Sequence, residues 1–204
     1  MTLQDSVAVP TLATLATFNS SFGHIQNISP FSEAVLLRRY LDTVGNGTGT
    51  KNIVTGNTAG DEFFIAPPAD TVYVITALDV YIAGSTSVTF DDEWLYGDQT
   101  ALSAGLQLKV EEDSAYGTEI VDLFDGLTVK KNRDWLRAGA YQVENNFASM
   151  TAIQLRLDLA AKYAVVHLRG NDLSRLVLTV QGGDLLSGLD EHYVMAHGFQ
   201  LDVA

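Results

Sequence analysis

Thr71-Val72-Tyr73-Val74-Ile75-Thr76-Ala77-Leu78-Asp79-Val80-Tyr81-Ile82 is the stretch whose reading decides the fold. Its alternate residues form two sets, Val72, Val74, Thr76, Leu78, Val80 and Ile82 against Tyr73, Ile75, Ala77, Asp79 and Tyr81. The weight of β-branched and aromatic residues makes it a strand and not a helix. Both sets are largely apolar. This predicts a strand in the middle of a sheet, covered on one side by a second sheet and on the other by a loop or a neighbouring molecule.

Outward from this strand the chain keeps the same habit. On the N-terminal side, Ala34 to Leu41 is β-like and runs into the turn formers Gly45-Asn46-Gly47-Thr48-Gly49-Thr50, and Glu62-Phe63-Phe64-Ile65-Ala66 is a short strand stopped by Pro67-Pro68. The glycines do not lie between a strand and a helix, so a flexible turn is preferred to a phosphate-binding loop. On the C-terminal side, Ser87-Val88-Thr89-Phe90 precedes the acidic turn Asp91-Asp92-Glu93, and Leu106, Leu108 and Val110 alternate with polar residues. Thr118 to Phe124 meets Asp125-Gly126, a two-residue hairpin signal, from which residues 127–130 are expected to return antiparallel. Trp135 to Asn146 reads as a loop with a short helical turn. Ile153, Leu155, Leu157 and Leu159 form one face of a strand, Tyr163 to Arg169 is a short strand, and Leu176, Leu178 and Val180 define another. In the last strand Tyr193, Met195, His197, Phe199, Leu201 and Val203 share one face. About eight or nine strands at this spacing, without internal repeats, predict an all-β, two-sheet antiparallel β-sandwich of the jelly-roll type over residues 34–204.

Residues 1–33 form a distinct N-terminal arm, extended or partly helical. Up to residue 32 Asp5 is its only charged side chain, and Leu12, Leu15, Phe18, Phe22, Ile25, Ile28 and Phe31 are separated by Thr, Ser, Ala and Asn. A solvated tail is normally charged and poor in Phe and Leu, so this arm calls for cover, either along its own domain or on another subunit. The second account makes these seven residues an assembly interface.

Composition narrows the function classes. At 204 residues and 47% hydrophobic the chain can bury a core without disulfides or metals, and it has no cysteine. A net charge of −13 from 25 acidic and 12 basic residues argues against nucleic acid and anionic membrane as partners. No run reaches the length of a membrane span, and the first residues lack a signal-peptide pattern, so a protein made soluble in the cytoplasm is expected.

Candidate chemistry is sparse. His192 and His197 are five residues apart and face opposite ways in a regular strand, so they do not converge on a metal, while His24 and His167 have no partner spacing. Asp91-Asp92-Glu93 and Glu111-Glu112-Asp113 offer oxygen ligands but match no calcium-loop spacing. No nucleophile elbow or metalloprotease motif occurs, so no catalytic residue, cofactor or metal is assigned. Trp94, Tyr96 and Trp135, with Tyr116, are candidate surface contacts able to stack on sugars, or else core and interface anchors.

Arg38-Arg39-Tyr40-Leu41 followed by Gly49-Thr50-Lys51-Asn52, then Phe63-Phe64-Ile65-Ala66-Pro67-Pro68, Leu123-Phe124-Asp125-Gly126, and Leu186-Ser187-Gly188-Leu189 with His192-Tyr193 resemble small jelly-roll virion structural proteins of tailed bacteriophages. The likeness covers most of residues 34–200 and excludes the arm. It implies a non-enzymatic structural role in the virion, as a capsid decoration or cement protein bound through oligomer contacts. Its implied partners are the major capsid protein or another virion protein, and itself in a homo-oligomer, with a trimer as the leading case. The alternatives are a neck, tail or baseplate accessory protein, or a carbohydrate-binding module for host attachment.

Overall fold

The computed structural model describes residues 34–48, 62–84, 96, 101–112, 118–145, 152–162, 165–186 and 189–202. Ten strands lie among them: β1 (Val35–Tyr40), β2 (Glu62–Ile65), β3 (Thr71–Gly84), β4 (Leu106–Glu112), β5 (Thr118–Asp122), β6 (Tyr141–Asn145), β7 (Ala152–Asp158), β8 (Val166–Arg169), β9 (Arg175–Val180) and β10 (Leu189–Asp202). Two single-turn helices, α1 (Asp134–Arg137) and α2 (Leu159–Lys162), interrupt them. One sheet has the order β1-β10-β3-β7-β6 with β8 also on β3, and the other the order β2-β9-β4-β5. Every pairing is antiparallel. The chain crosses repeatedly from one sheet to the other, and with β7 and β8 sharing one strand position this is the strand order of a jelly roll.

The core fills the space between the sheets. Leu155 and Leu157 from β7, Leu106 and Leu108 from β4, and Leu176 and Leu178 from β9 are buried, while their polar alternates Gln154, Arg156, Gln107, Lys109 and Thr179 are less so. That is the alternation expected of strands with one face in a core and one outside.

The quoted strand departs from this simple picture at one residue. In its pairing with β10, His197 opposes Ala77 but the next residue, Gly198, opposes Ile75, so Thr76 is an extra, bulged residue. Its hydroxyl donates to the His197 carbonyl at 3.2 Å. The bulge reverses the facing of β3: Tyr73 and Ile75 point into the main core on one side of it, and Leu78, Val80 and Ile82 on the other. Val72 and Val74 are left on the outer face in a second, small cluster with Leu201 and Val165. On the opposite edge of β3, the partner changes from β7 to β8 at the same place. The two apolar sets therefore reflect mainly a switch of face halfway along, and less a strand covered on both sides throughout.

The expected hairpin at Asp125-Gly126 does not form. β5 pairs with β4, and after the turn Val129 pairs with Leu106 of the same strand, so the chain loops out and rejoins the edge it had left. The Asp122 carboxylate accepts the N–H groups of Phe124 and Gly126 at 2.9 and 2.8 Å, and the loop inserts Leu123 and Phe124 into the core. Burial of these two side chains outweighs the local preference for reversal. The stretch from Trp135 contains α1 as read, and also a strand, β6. Strand β8 begins at Val166, later than the expected Tyr163. Ser87 to Phe90, read as a strand, lies outside the described residues.

Candidate functional site

The outer face of the six-stranded sheet is chemically unlike an ordinary solvated face. Along β10 the core-facing residues are His192, Val194, Ala196 and Gly198, three of them small or of modest size, whereas Tyr193, Met195, His197, Phe199 and Leu201 point the other way. The heavier, more apolar side of the strand is thus directed out of the sandwich, which marks an interaction surface more than a solubilising one.

Register assembles this face from distant parts of the chain. Tyr193 stands opposite Tyr81, with ring centroids 5.0 Å apart and planes 18° from parallel, and Tyr40 meets Tyr193 edge-on at 5.3 Å. Beside the tyrosines, Asp79 lies opposite Arg156 and one row from His197. One Asp79 oxygen is 2.9 Å from the Arg156 guanidinium and the other 2.7 Å from His197 Nε2. Arg38 stands opposite His197 on β1 and has no acidic partner among the described residues. Burial lowers the pKa of His197, Asp79 opposes the shift, and the nearby Arg156 and Arg38 add to it. The imidazole is therefore neutral at pH 7, and two arginines face a single aspartate.

The other end of the face is apolar. Leu36 opposes Phe199, which in turn opposes Val74, while Val35 lies on the other side of β1, the side of Leu37. Val35, Leu36 and Phe199 are 56%, 69% and 41% exposed, and β1 is an edge strand among the described strands. This end adjoins the residue at which the arm enters the sandwich.

Several residues singled out in the sequence fall elsewhere. Leu12, Leu15, Phe18, Phe22, Ile25, Ile28 and Phe31 of the arm lie outside the described residues, as do His24, Asp91, Asp92, Glu93, Trp94, Asp113 and Tyr116. Tyr96 and Trp135, expected as surface contacts, are core residues at 1% and 0% exposure. The reason is local. The Asp134 carboxylate accepts the N–H groups of Lys130 and Lys131 at 3.0 and 2.9 Å, which turns α1 inward. The Trp135 indole then donates to the Tyr96 hydroxyl and packs edge-on against Phe124 at 5.1 Å. A buried indole N–H needs such a partner. His192 sits 5.8 Å from the Tyr96 ring, faces the core, and has its pKa lowered to about 4 by burial. His192 and His197 do point to opposite faces.

The acidic residues are mostly committed to architecture. Glu111 pairs with Arg175 at 2.7 Å, and that arginine also reaches Glu62 and lies 5.3 Å over Phe64. Asp184 accepts three successive N–H groups, of Ser103, Ala104 and Gly105, at 2.8, 2.8 and 2.6 Å. Among the described residues no group of three or more His, Asp and Glu is placed to hold a metal ion. The tyrosine row and its ionic neighbours had only partial signals in the sequence: Tyr81 with Asp79, and Tyr193 with His197, share strand faces, but nothing local shows that these faces join. No family model, curated protein or solved structure matches the chain.

Proposed function

We propose that the protein is a structural subunit of a tailed-phage virion, a capsid decoration protein in the leading reading, held in place by its arm and the adjoining end of β1. The observation that carries this is the run of exposed apolar side chains at the start of β1, Leu36 with Phe199 on the outer face and Val35 on the other, next in the chain to the charge-poor residues 1–33. An exposed edge strand offers unpaired backbone groups to another chain. Two copies of β1 paired edge to edge would gather four arginines, Arg38 and Arg39 of each, into one short ladder with no acidic residue of β1 to offset them, a crowding of like charge that sheets disfavour. The arm carries no Lys or Arg and meets no such repulsion, so it is the better occupant of a neighbour's edge. The sequence resemblance to phage jelly-roll proteins supports the virion setting.

The test is deletion of residues 1–33. The shortened protein is expected to fold as the intact sandwich does and to be lost from purified particles. Normal incorporation of the shortened protein would overturn the proposal. Copy number in particles then separates a shell protein, present on the order of hundreds, from a neck or baseplate part, present in roughly ten copies, by the symmetry of closed assemblies.

A further inference from the structure

We propose that the tyrosine row on the outer face, with Arg38 beside it, is a shallow binding site for a short saccharide bearing a carboxylate. Tyr40, Tyr193 and Tyr81 come from three adjacent strands, β1, β10 and β3, and all three are partly exposed. Two inter-strand spacings make this row roughly 10 Å long, the span of about two sugar rings. Tyr81 and Tyr193 stack on each other and Tyr40 meets Tyr193 edge-on, so what the row offers a sugar is the part of each ring that these contacts leave uncovered, an apolar body with a polar tip.

Charge selects the kind of sugar. Arg38 is two residues from Tyr40 on the same face of β1, roughly 7 Å along the strand, and no acidic residue among those described takes up its charge. Arg156 is held by Asp79, whose two oxygens are both engaged, so Arg38 is the positive charge left at the Tyr40 end of the row, while Glu191 lies on the same face two residues from Tyr193. A guanidinium matches a carboxylate in a planar, two-point contact. The net charge of −13 repels a long polyanion, so a short acidic oligosaccharide recognised at contact fits better than an acidic polymer. Cross-strand tyrosine pairs also stabilise sheets without binding anything. That account leaves unexplained why β10 directs its larger side chains outward beside an arginine that has no acidic partner among the described residues.

The experiment is an array of oligosaccharides containing uronic or sialic acids beside neutral ones, probed with the full-length protein. Retained glycans are then titrated against the wild type, Arg38→Gln, Arg38→Lys and Tyr40→Ala. Retention of carboxylated over neutral glycans is expected, with affinity reduced about tenfold or more by Arg38→Gln, the loss of one charge-assisted contact. Arg38→Lys should recover part of it, and Tyr40→Ala should weaken carboxylated glycans without restoring neutral ones. Unchanged thermal melting of Arg38→Gln shows that the fold is intact. Failure of every carboxylated glycan to bind, equal retention of neutral glycans, or indifference to Arg38→Gln would overturn the proposal. Particle incorporation is not read, so this outcome is separate from that of the arm deletion.

Discussion

Gly198 shows how one residue is constrained by a partner far away in the chain. It stands opposite the Thr76 bulge, where β3 swells toward β10, and a Cβ there would lie 1.8 Å from the Val74 carbonyl oxygen. Both sides of this clash are backbone, so Gly198→Ala is expected to cost about 3 kcal/mol or more, read as a lower urea midpoint at unchanged slope. His192 sets a pH dependence. Its pKa is about 4 when folded, against an ordinary value of 6.5, so the unfolded chain binds the proton more readily. Stability is full above about pH 6.5, falls as pH drops toward 4, and the total loss is on the order of 3 kcal/mol. His192→Leu should flatten that part of the profile, measured by urea unfolding at pH 7.5 and 4.5. A variant whose acid limb matches the wild type would show that other groups set it. Neither effect was legible locally: Gly198 looks like a weak strand residue, and His192 like any other histidine.

At the scale of elements, the decisive device is the bulge in β3. Strict alternation across residues 71–82 implies one core-facing set, whereas the structure takes Tyr73 and Ile75 from one set and Leu78, Val80 and Ile82 from the other. Deleting Thr76 takes out the extra residue and leaves Tyr73, Ile75, Leu78, Val80 and Ile82 alternating on one face of a regular strand, so the cooperative transition seen by circular dichroism should survive. An alanine inserted between Leu78 and Asp79 turns one half of β3 to the wrong face and should abolish that transition. Thr76→Val keeps the backbone count and removes one hydrogen bond, so it should cost only about 1 kcal/mol. Loss of the transition on deleting Thr76, or its survival of the insertion, would show that the bulge does not set the facing of β3. The turn at Asp125-Gly126 teaches the related lesson. Its residue types are those of a hairpin, yet Leu123 and Phe124 gain more by entering the core while β4 keeps its pairing on both sides of the loop.

At the scale of the molecule, the arm and the sandwich are separable if the arm's cover is another subunit. Deleting residues 1–33 should then leave the urea midpoint within about 0.5 kcal/mol of the full-length value, while sedimentation shows self-association lost. A large drop in stability would instead place the arm on its own domain. The sandwich itself was legible in the sequence because side-chain alternation is a local property: in β4 and β7 each inward Leu is separated from the next by a polar residue tolerant of water, and the period of 2 follows from strand geometry alone. The arm's need for cover is an expectation drawn from composition, and its residues lie outside those the structure describes. What only the tertiary structure decided is which faces meet: that β3 changes sides at Thr76, that Trp135 and Tyr96 turn inward, and that Tyr40, Tyr81 and Tyr193, distant in the chain, come together beside Arg38. Pairing of distant strands is set by the sum of burial and backbone hydrogen bonding over the whole core, and no single segment carries that sum.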